Sequence, residues 1–315
     1  MSTVLTLGET MAAFSSAGPW RLGGAARLSV AGSESNVAIG LSRLGCASRW
    51  VGVVGGDEFG QLVLRTLRAE GVDVSSARVE PNAPTGLIFF ERRLEGIVRV
   101  DYRRRDSAGA TLRPEDAEAG FAGGVDLLAV SGITPALGAG PRAAVRRAIE
   151  LARAGSVPVV LDVNFRARLW DAGEARRELR ELAAQADVVV ASEDELALVG
   201  PGAGGDEAAT VDALLAAGRQ AVVIKRAAAG SSAFSADGAW HQVPPAVRAV
   251  DSVGAGDAFV AGWCSATLEG LPVPDRLARA TACGAFAAAS HGDWEGLPRR
   301  DELGLLELPS GTAQR

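Results

Sequence analysis

Short apolar runs alternate with longer segments of helical period along most of this 315-residue chain, and that alternation limits the possible folds more than any other feature. Val4–Leu7, Arg49–Val54, Val125–Val130, Val157–Val163, Asp187–Ala191 and Ala221–Ile224 read as buried strands. Between them, Ser35–Leu44, Phe59–Glu70, Pro141–Ala154, Glu174–Ala184 and Asp206–Ala217 read as helices. Phe59–Arg68, for example, gathers its apolar residues on one helical face. Strand and helix in alternation predict an α/β fold: a mostly parallel central sheet flanked by helices on both faces. Ligands of such sheets bind beyond the carboxyl ends of the strands. A hydrophobic content of 48% supplies the core, and 39 glycines with few aromatics suit a structure of many tight turns.

Two segments break the rhythm. Arg21–Val30 and Thr85–Arg105 look like strands without following helices, the second folding back at Glu95-Gly96. They predict a small β-sheet lid, inserted at about 14–30 and 84–106 into a single domain spanning 1–315. Ala233–Gln242 reads as another hairpin turning at Asp237-Gly238, and Pro309–Arg315 reads as a frayed end.

A net charge of −6 and the lack of a basic stripe argue against a nucleic-acid partner. Cys46, Cys264 and Cys283 are far apart in apolar stretches, as reduced core thiols are. No apolar run has the length of a membrane span and the N-terminus lacks a signal pattern, so the expected setting is cytoplasmic with no membrane partner. Lys225 is the sole lysine and Tyr102 the sole tyrosine of an arginine-rich chain.

Chemistry concentrates in Asp251-Ser-Val-Gly254-Ala255-Gly256-Asp257, which opens an apolar helix. Small residues leave the backbone N–H groups unobstructed where a helix starts, and the first turn and the helix dipole together favour anions. A carboxylate there repels phosphate, but it suits a base that takes a proton from an attacking hydroxyl. The pattern also fits a glycine-rich turn capped by Asp257. It lacks the third glycine of a dinucleotide fingerprint, and no phosphate loop precedes Lys225.

The segment resembles the second signature of the PfkB, or ribokinase-like, carbohydrate kinases. Ala31-Gly32-Ser-Glu-Ser-Asn36 through Gly45, followed by Val51 through Asp57 and Gly60, resembles the first. Both occur in the family's order, and the resemblance covers nearly the whole chain. Within the family the chain is similar to 2-keto-3-deoxygluconate kinases in Val100–Gly109, Ser131–Leu137, Asp162–Trp170 and Ser290–Gly296.

The resemblance implies a ribokinase-like fold and transfer of phosphate from ATP, with Mg²⁺, to the 6-hydroxyl of a keto sugar acid. It implies Asp257 as base and Gly254, Ala255 and Gly256 as anion hole. Gly32, Asn36, Tyr102, Arg104, Arg166 and Asp293 would contact the sugar acid, arginine being suited to a carboxylate. Asn164, Ser192, Lys225, Arg226 and Gly230, with Gly254 and Gly256, would serve the nucleotide, and Glu195 would help organise Mg²⁺. A homo-oligomer paired through the lids is also implied. Departures include Ala31 for a glycine, Ser192 for an asparagine, Ala227 for a glycine, and Ile88 where some relatives carry tyrosine. A fructokinase or ribokinase, and a non-catalytic sensor on the same scaffold, are the alternatives.

Overall fold

The computed structural model describes residues 2–94, 97–202 and 206–308. The turn expected at Glu95-Gly96 and the segment Pro309–Arg315 lie outside the described residues. In chain order the first elements are β1 (Thr3–Leu7), β2 (Met11–Ser16), β3 (Arg27–Ala31), α1 (Ser33–Arg43), β4 (Ala47–Val51), β5 (Val53–Gly55), α2 (Glu58–Ala69), β6 (Arg78–Glu80), β7 (Leu87–Leu94) and β8 (Ile97–Arg103). Next come α3 (Pro114–Phe121), β9 (Leu127–Ser131), α4 (Ala139–Ala154), β10 (Val159–Asp162), α5 (Ala172–Ala183), β11 (Val188–Ser192), α6 (Glu193–Leu196) and α7 (Glu207–Ala216). The chain then forms β12 (Ala221–Lys225), β13 (Ser231–Ser235), β14 (Gly238–Gln242), α8 (Ala255–Leu268) and α9 (Val273–Ala288).

The large sheet runs β14-β13-β12-β11-β10-β9-β1-β4. Its strands from β4 to β12 pair in parallel, and the β13–β14 hairpin closes one edge antiparallel. Alternate residues of each strand face opposite layers. Leu5, Leu7, Leu128 and Val130 pack against α4 and α5 through Val145, Ile149, Leu179 and Leu182. Val4, Leu127 and Ala129 face the other way, onto Leu41 of α1 and Phe259 and Trp263 of α8. Both faces of the sheet are therefore dry, which is why its strands read as continuous apolar runs.

Small residues bring the helices of one layer close. A Cβ on Gly40 of α1 would lie 2.7 Å from the Ala261 Cβ of α8, and one on Gly262 would lie 2.8 Å from the Ala280 Cα of α9.

The small sheet runs β3-β2-β7-β8, with β2 and β7 parallel and the outer pairs antiparallel. Met11, Ala13, Ala31, Ile88 and Phe90 form its own buried cluster. Its first strand, Met11–Ser16, begins earlier than the expected insertion at 14, and the strand expected over Arg21–Val30 is only Arg27–Ala31. Trp20–Leu22 is instead a 3₁₀ turn, ended by Gly23 and Gly24 at φ 70° and 106°. The run Arg49–Val54 is two strands: Gly52 breaks it, β4 stays in the large sheet, and β5 pairs with β6.

Candidate active site

Two helix N-termini meet at the carboxyl edge of the large sheet. Helix α8 starts after Gly254, whose φ of 77° lies in the left-handed region. A Cβ there would run into the Asp293 carbonyl oxygen, so glycine is required by contact as well as by conformation. Asp257 sits in the first turn of α8 and is 8% exposed. Helix α1 starts after Gly32 and presents Ser33 and Asn36 to that carboxylate. Ser33 Oγ donates to Asp257 Oδ1 at 2.6 Å, and Asn36 Nδ2 donates to Oδ2 at 2.8 Å. Asn164, at φ 40° beyond β10, donates to Ser33 Oγ at 2.9 Å.

Burial pushes the Asp257 carboxyl above its ordinary range, while the Ser33 and Asn36 bonds and the Arg166 and Lys225 charges pull it back. Asn36 Nδ2 also donates to Asp293 Oδ1 at 2.8 Å, so one amide serves two carboxylates. Burial, and next the Asp257 charge, push Asp293 up to about 8. Asp257 thus has two hydrogen-bond donors and two nearby cations, whereas Asp293 has one donor and a neighbouring carboxylate.

Lys225 extends from the end of β12 to Asp162 at the end of β10, Nζ to Oδ1 at 2.7 Å. A Cβ on Gly256 would lie 3.7 Å from Lys225 Nζ, so the ammonium borders the α8 start. Burial opposes its charge, but Asp162, Glu195 and Asp257 together outweigh that and hold its pKa above the ordinary lysine value. Asp162 is pushed by burial to about 6 against the pull of Lys225. Glu195 accepts from Phe165 N at 2.8 Å and Ser192 N at 2.9 Å, which fixes the turn after β11.

All of these groups except Asp162, which lies behind Lys225, line one cavity of about 600 Å³ between the large sheet and the small one. Of the residues expected in the site, Gly32, Asn36, Tyr102, Arg104, Asn164, Arg166, Ser192, Glu195, Lys225, Gly254, Gly256, Asp257 and Asp293 line it. Ala255 lies between two of them. Arg226 and Gly230 are not in its wall. The Arg226 guanidinium pairs with Glu193 and Glu207 and donates to Ser232 Oγ. Gly230, at φ 97°, makes the turn into β13 against the Gln242 carbonyl. Ala227 adopts φ 48°, the left-handed conformation that a glycine would take more easily.

Arg104 lies over the Tyr102 ring at 5.6 Å, and its guanidinium is paired with Glu9. Ser33, Asp162, Glu9 and Arg168 are site residues that sequence reasoning passed over. Arg168 lines the cavity and donates to the Val100 carbonyl of the small sheet at 2.6 Å. Ser33 had one legible signal, its place between Gly32 and Asn36 at a helix start. Among the described residues no helix is long and apolar enough to cross a membrane.

A parallel sheet whose carboxyl edge carries a helix start, a buried carboxylate and a lysine is suited to binding an anionic group. Residues 1–300 match the model of the pfkB family of carbohydrate kinases, and the chain belongs to that family. It is 34% identical to the 2-dehydro-3-deoxygluconokinase of Bacillus subtilis, over 95% of this chain and 93% of that one. It is 35% identical to a fructokinase of Klebsiella pneumoniae, over 86% of this chain and 90% of that one. An E. coli protein solved as a candidate ribokinase II with ATP and Mg²⁺ superposes with a TM-score of 0.90 at 25% identity, covering 98% of this chain and 99% of that one. The fold is ribokinase-like, and the chain is a sugar kinase.

Proposed function

We propose that this kinase transfers the γ-phosphoryl group of ATP to the 6-hydroxyl of 2-keto-3-deoxygluconate, giving 2-keto-3-deoxy-6-phosphogluconate and ADP. The observation that carries the reading is the buried Asp257 carboxylate, held by Ser33 and Asn36 in a cavity that Arg104, Arg166 and Arg168 also line. Arginine recognises a carboxylate with paired N–H groups, which a neutral ketose does not call for. The name of the B. subtilis relative points the same way.

Asp257 takes the proton of the acceptor hydroxyl as its oxygen forms a bond to the γ-phosphorus; the bond to the bridging oxygen breaks and ADP leaves with that electron pair. The N–H groups at the start of α8, with Gly254 and Gly256 lacking side chains, stabilise the equatorial oxygens. Lys225 adds positive charge beside them, and Asp162 keeps it in place. Ser192 and Asn164 lie on the nucleotide side in this reading, with Arg226 and Gly230 further along it.

Glu195 is a hard oxygen donor in the cavity wall, a donor type that fits Mg²⁺ held largely by phosphate and water. Bound there, Mg²⁺ would shield the triphosphate charge. The proposal extends to a homo-oligomer paired through the small sheets, to be read by sedimentation.

A panel of 2-keto-3-deoxygluconate, its galactonate epimer, fructose and ribose with Mg-ATP, followed by ADP release, tests the substrate. The sugar acid should have the highest kcat/KM; a clear preference for fructose would overturn acid recognition and favour the fructokinase reading.

A further inference from the structure

Four chain crossings join the small sheet to the body: into β2, out of β3, into β7 and out of β8. All four meet at Glu9. Glu9 is itself the crossing from β1 to β2. Its carbonyl oxygen would lie 2.5 Å from a Cβ on Gly32, the crossing out of β3. Its Oε1 would lie 2.5 Å from a Cβ on Gly86, the crossing into β7. Arg104, leaving β8, donates from Nε to Glu9 Oε2 at 2.7 Å, and its Nη2 lies 2.5 Å from the same oxygen. Ser107 Oγ donates to Oε1 at 2.5 Å. A Cβ on Gly109 would collide with the Glu9 stem.

The Glu9 side chain is 1% exposed and that of Arg104 11%, yet both residues border the cavity. A carboxylate this deep is costly without partners, and here three donors on the one segment that leaves β8 satisfy it. The contact takes the Nε–Nη2 edge of Arg104. The remaining N–H groups of a planar guanidinium then have one direction left, set by the root of the lid and not by the arginine's own rotamers.

We propose that Glu9 is a positioning residue for the sugar-kinase reaction: at the point where the four crossings of the lid meet, its carboxylate holds the segment leaving β8 and thereby aims Arg104 at the acceptor sugar. The inference rests on the acceptor occupying this cavity, and it holds whichever acceptor the chain prefers.

The test uses the full chain and the sugar of the panel that the wild type phosphorylates best, so a wrong substrate assignment does not decide it. Glu9→Gln keeps shape and one acceptor but removes the charge. It should raise the sugar KM about tenfold, with kcat and the KM for ATP within about twofold. Arg104→Met should raise the sugar KM on its own, and adding Glu9→Gln to it should raise it no further. Glu9→Asp, which restores the charge, should recover part of the loss. An unchanged sugar KM in Glu9→Gln overturns the proposal. So does an equal rise in the Arg104→Met background, or a matching rise in the KM for ATP, since either makes the effect one of folding and not of aim. Should Glu9→Gln fold poorly, the comparison of Arg104→Met with Glu9→Asp, Arg104→Met carries the same contrast.

Discussion

Replacing Asp257 by asparagine separates the chemistry of the site from its architecture. Asp257 accepts one bond on each oxygen, from Ser33 Oγ at 2.6 Å and from Asn36 Nδ2 at 2.8 Å. An asparagine with its oxygen toward Asn36 keeps that bond and turns its own Nδ2 toward Ser33. A serine hydroxyl can accept as well as donate, so the second contact survives with its direction reversed. The opposite orientation would set two amide donors against each other and is disfavoured. The buried group also loses a charge that burial already opposes. Fold stability should therefore change by no more than about 1 kcal/mol. The base, by contrast, is gone. General-base contributions run about 10²–10⁴-fold, or about 3–5 kcal/mol of barrier. Turnover by coupled ADP release should fall about 10³-fold, while calorimetry finds ATP affinity within a few-fold and scanning finds an intact fold. The wild-type rate should also fall on the acid side as Asp257 takes up its proton, at a pH above the ordinary aspartate range, and the residual rate of the variant should lack that limb. Turnover within tenfold of wild type, in a folded variant, would remove Asp257 from the base role.

Gly254→Ala places a methyl against the Asp293 carbonyl in a left-handed conformation, so it should cost at least about 1–2 kcal/mol and lower kcat more than tenfold; melting and turnover measure both. Lys225→Met leaves Asp162 buried without its cation and should lose about 3 kcal/mol in denaturant unfolding, most of it recovered in the double variant with Asp162→Asn. Asp293 is pushed from 3.8 up to about 8, so the stability it contributes is full below about pH 4 and is lost as pH rises toward 8. Asp293→Asn should therefore melt progressively higher than wild type between pH 5 and 8; a constant difference across that range would contradict the assignment.

The large sheet was legible because strands dry on both faces are apolar throughout and are separated by amphipathic helices. The same continuity hid the break at Gly52, where an apolar run changes sheets without changing character. Met11–Ser16 was illegible for the opposite reason: Met-Ala-Ala-Phe-Ser-Ser is too mild to announce a strand, and its partners, β3 and β7, come later in the chain. Asp257 and Asn36 could be read from their motifs. The contacts of Ser33 with Asp257 and of Glu9 with Arg104 span 224 and 95 residues, distances no local pattern encodes. Within Arg103-Arg104-Arg105, the family resemblance and not the local pattern singled out Arg104; the structure leaves the Arg103 side chain 66% exposed and that of Arg104 11%.

The parallel joint between β2 and β7 also has a consequence for the order in which the molecule assembles. No tight turn can make such a joint, and neither flanking hairpin is stable alone. The two halves of the small sheet can come together only once the layers around the large one have brought Ala12 and Leu87 side by side. This sheet should then be the last part to form and the first to open, with amide hydrogens of β2 and β7 exchanging well before those of β9 and β10. The cover of the cavity should thus open about the crossings that Glu9 holds before the layers that carry Asp257 come apart.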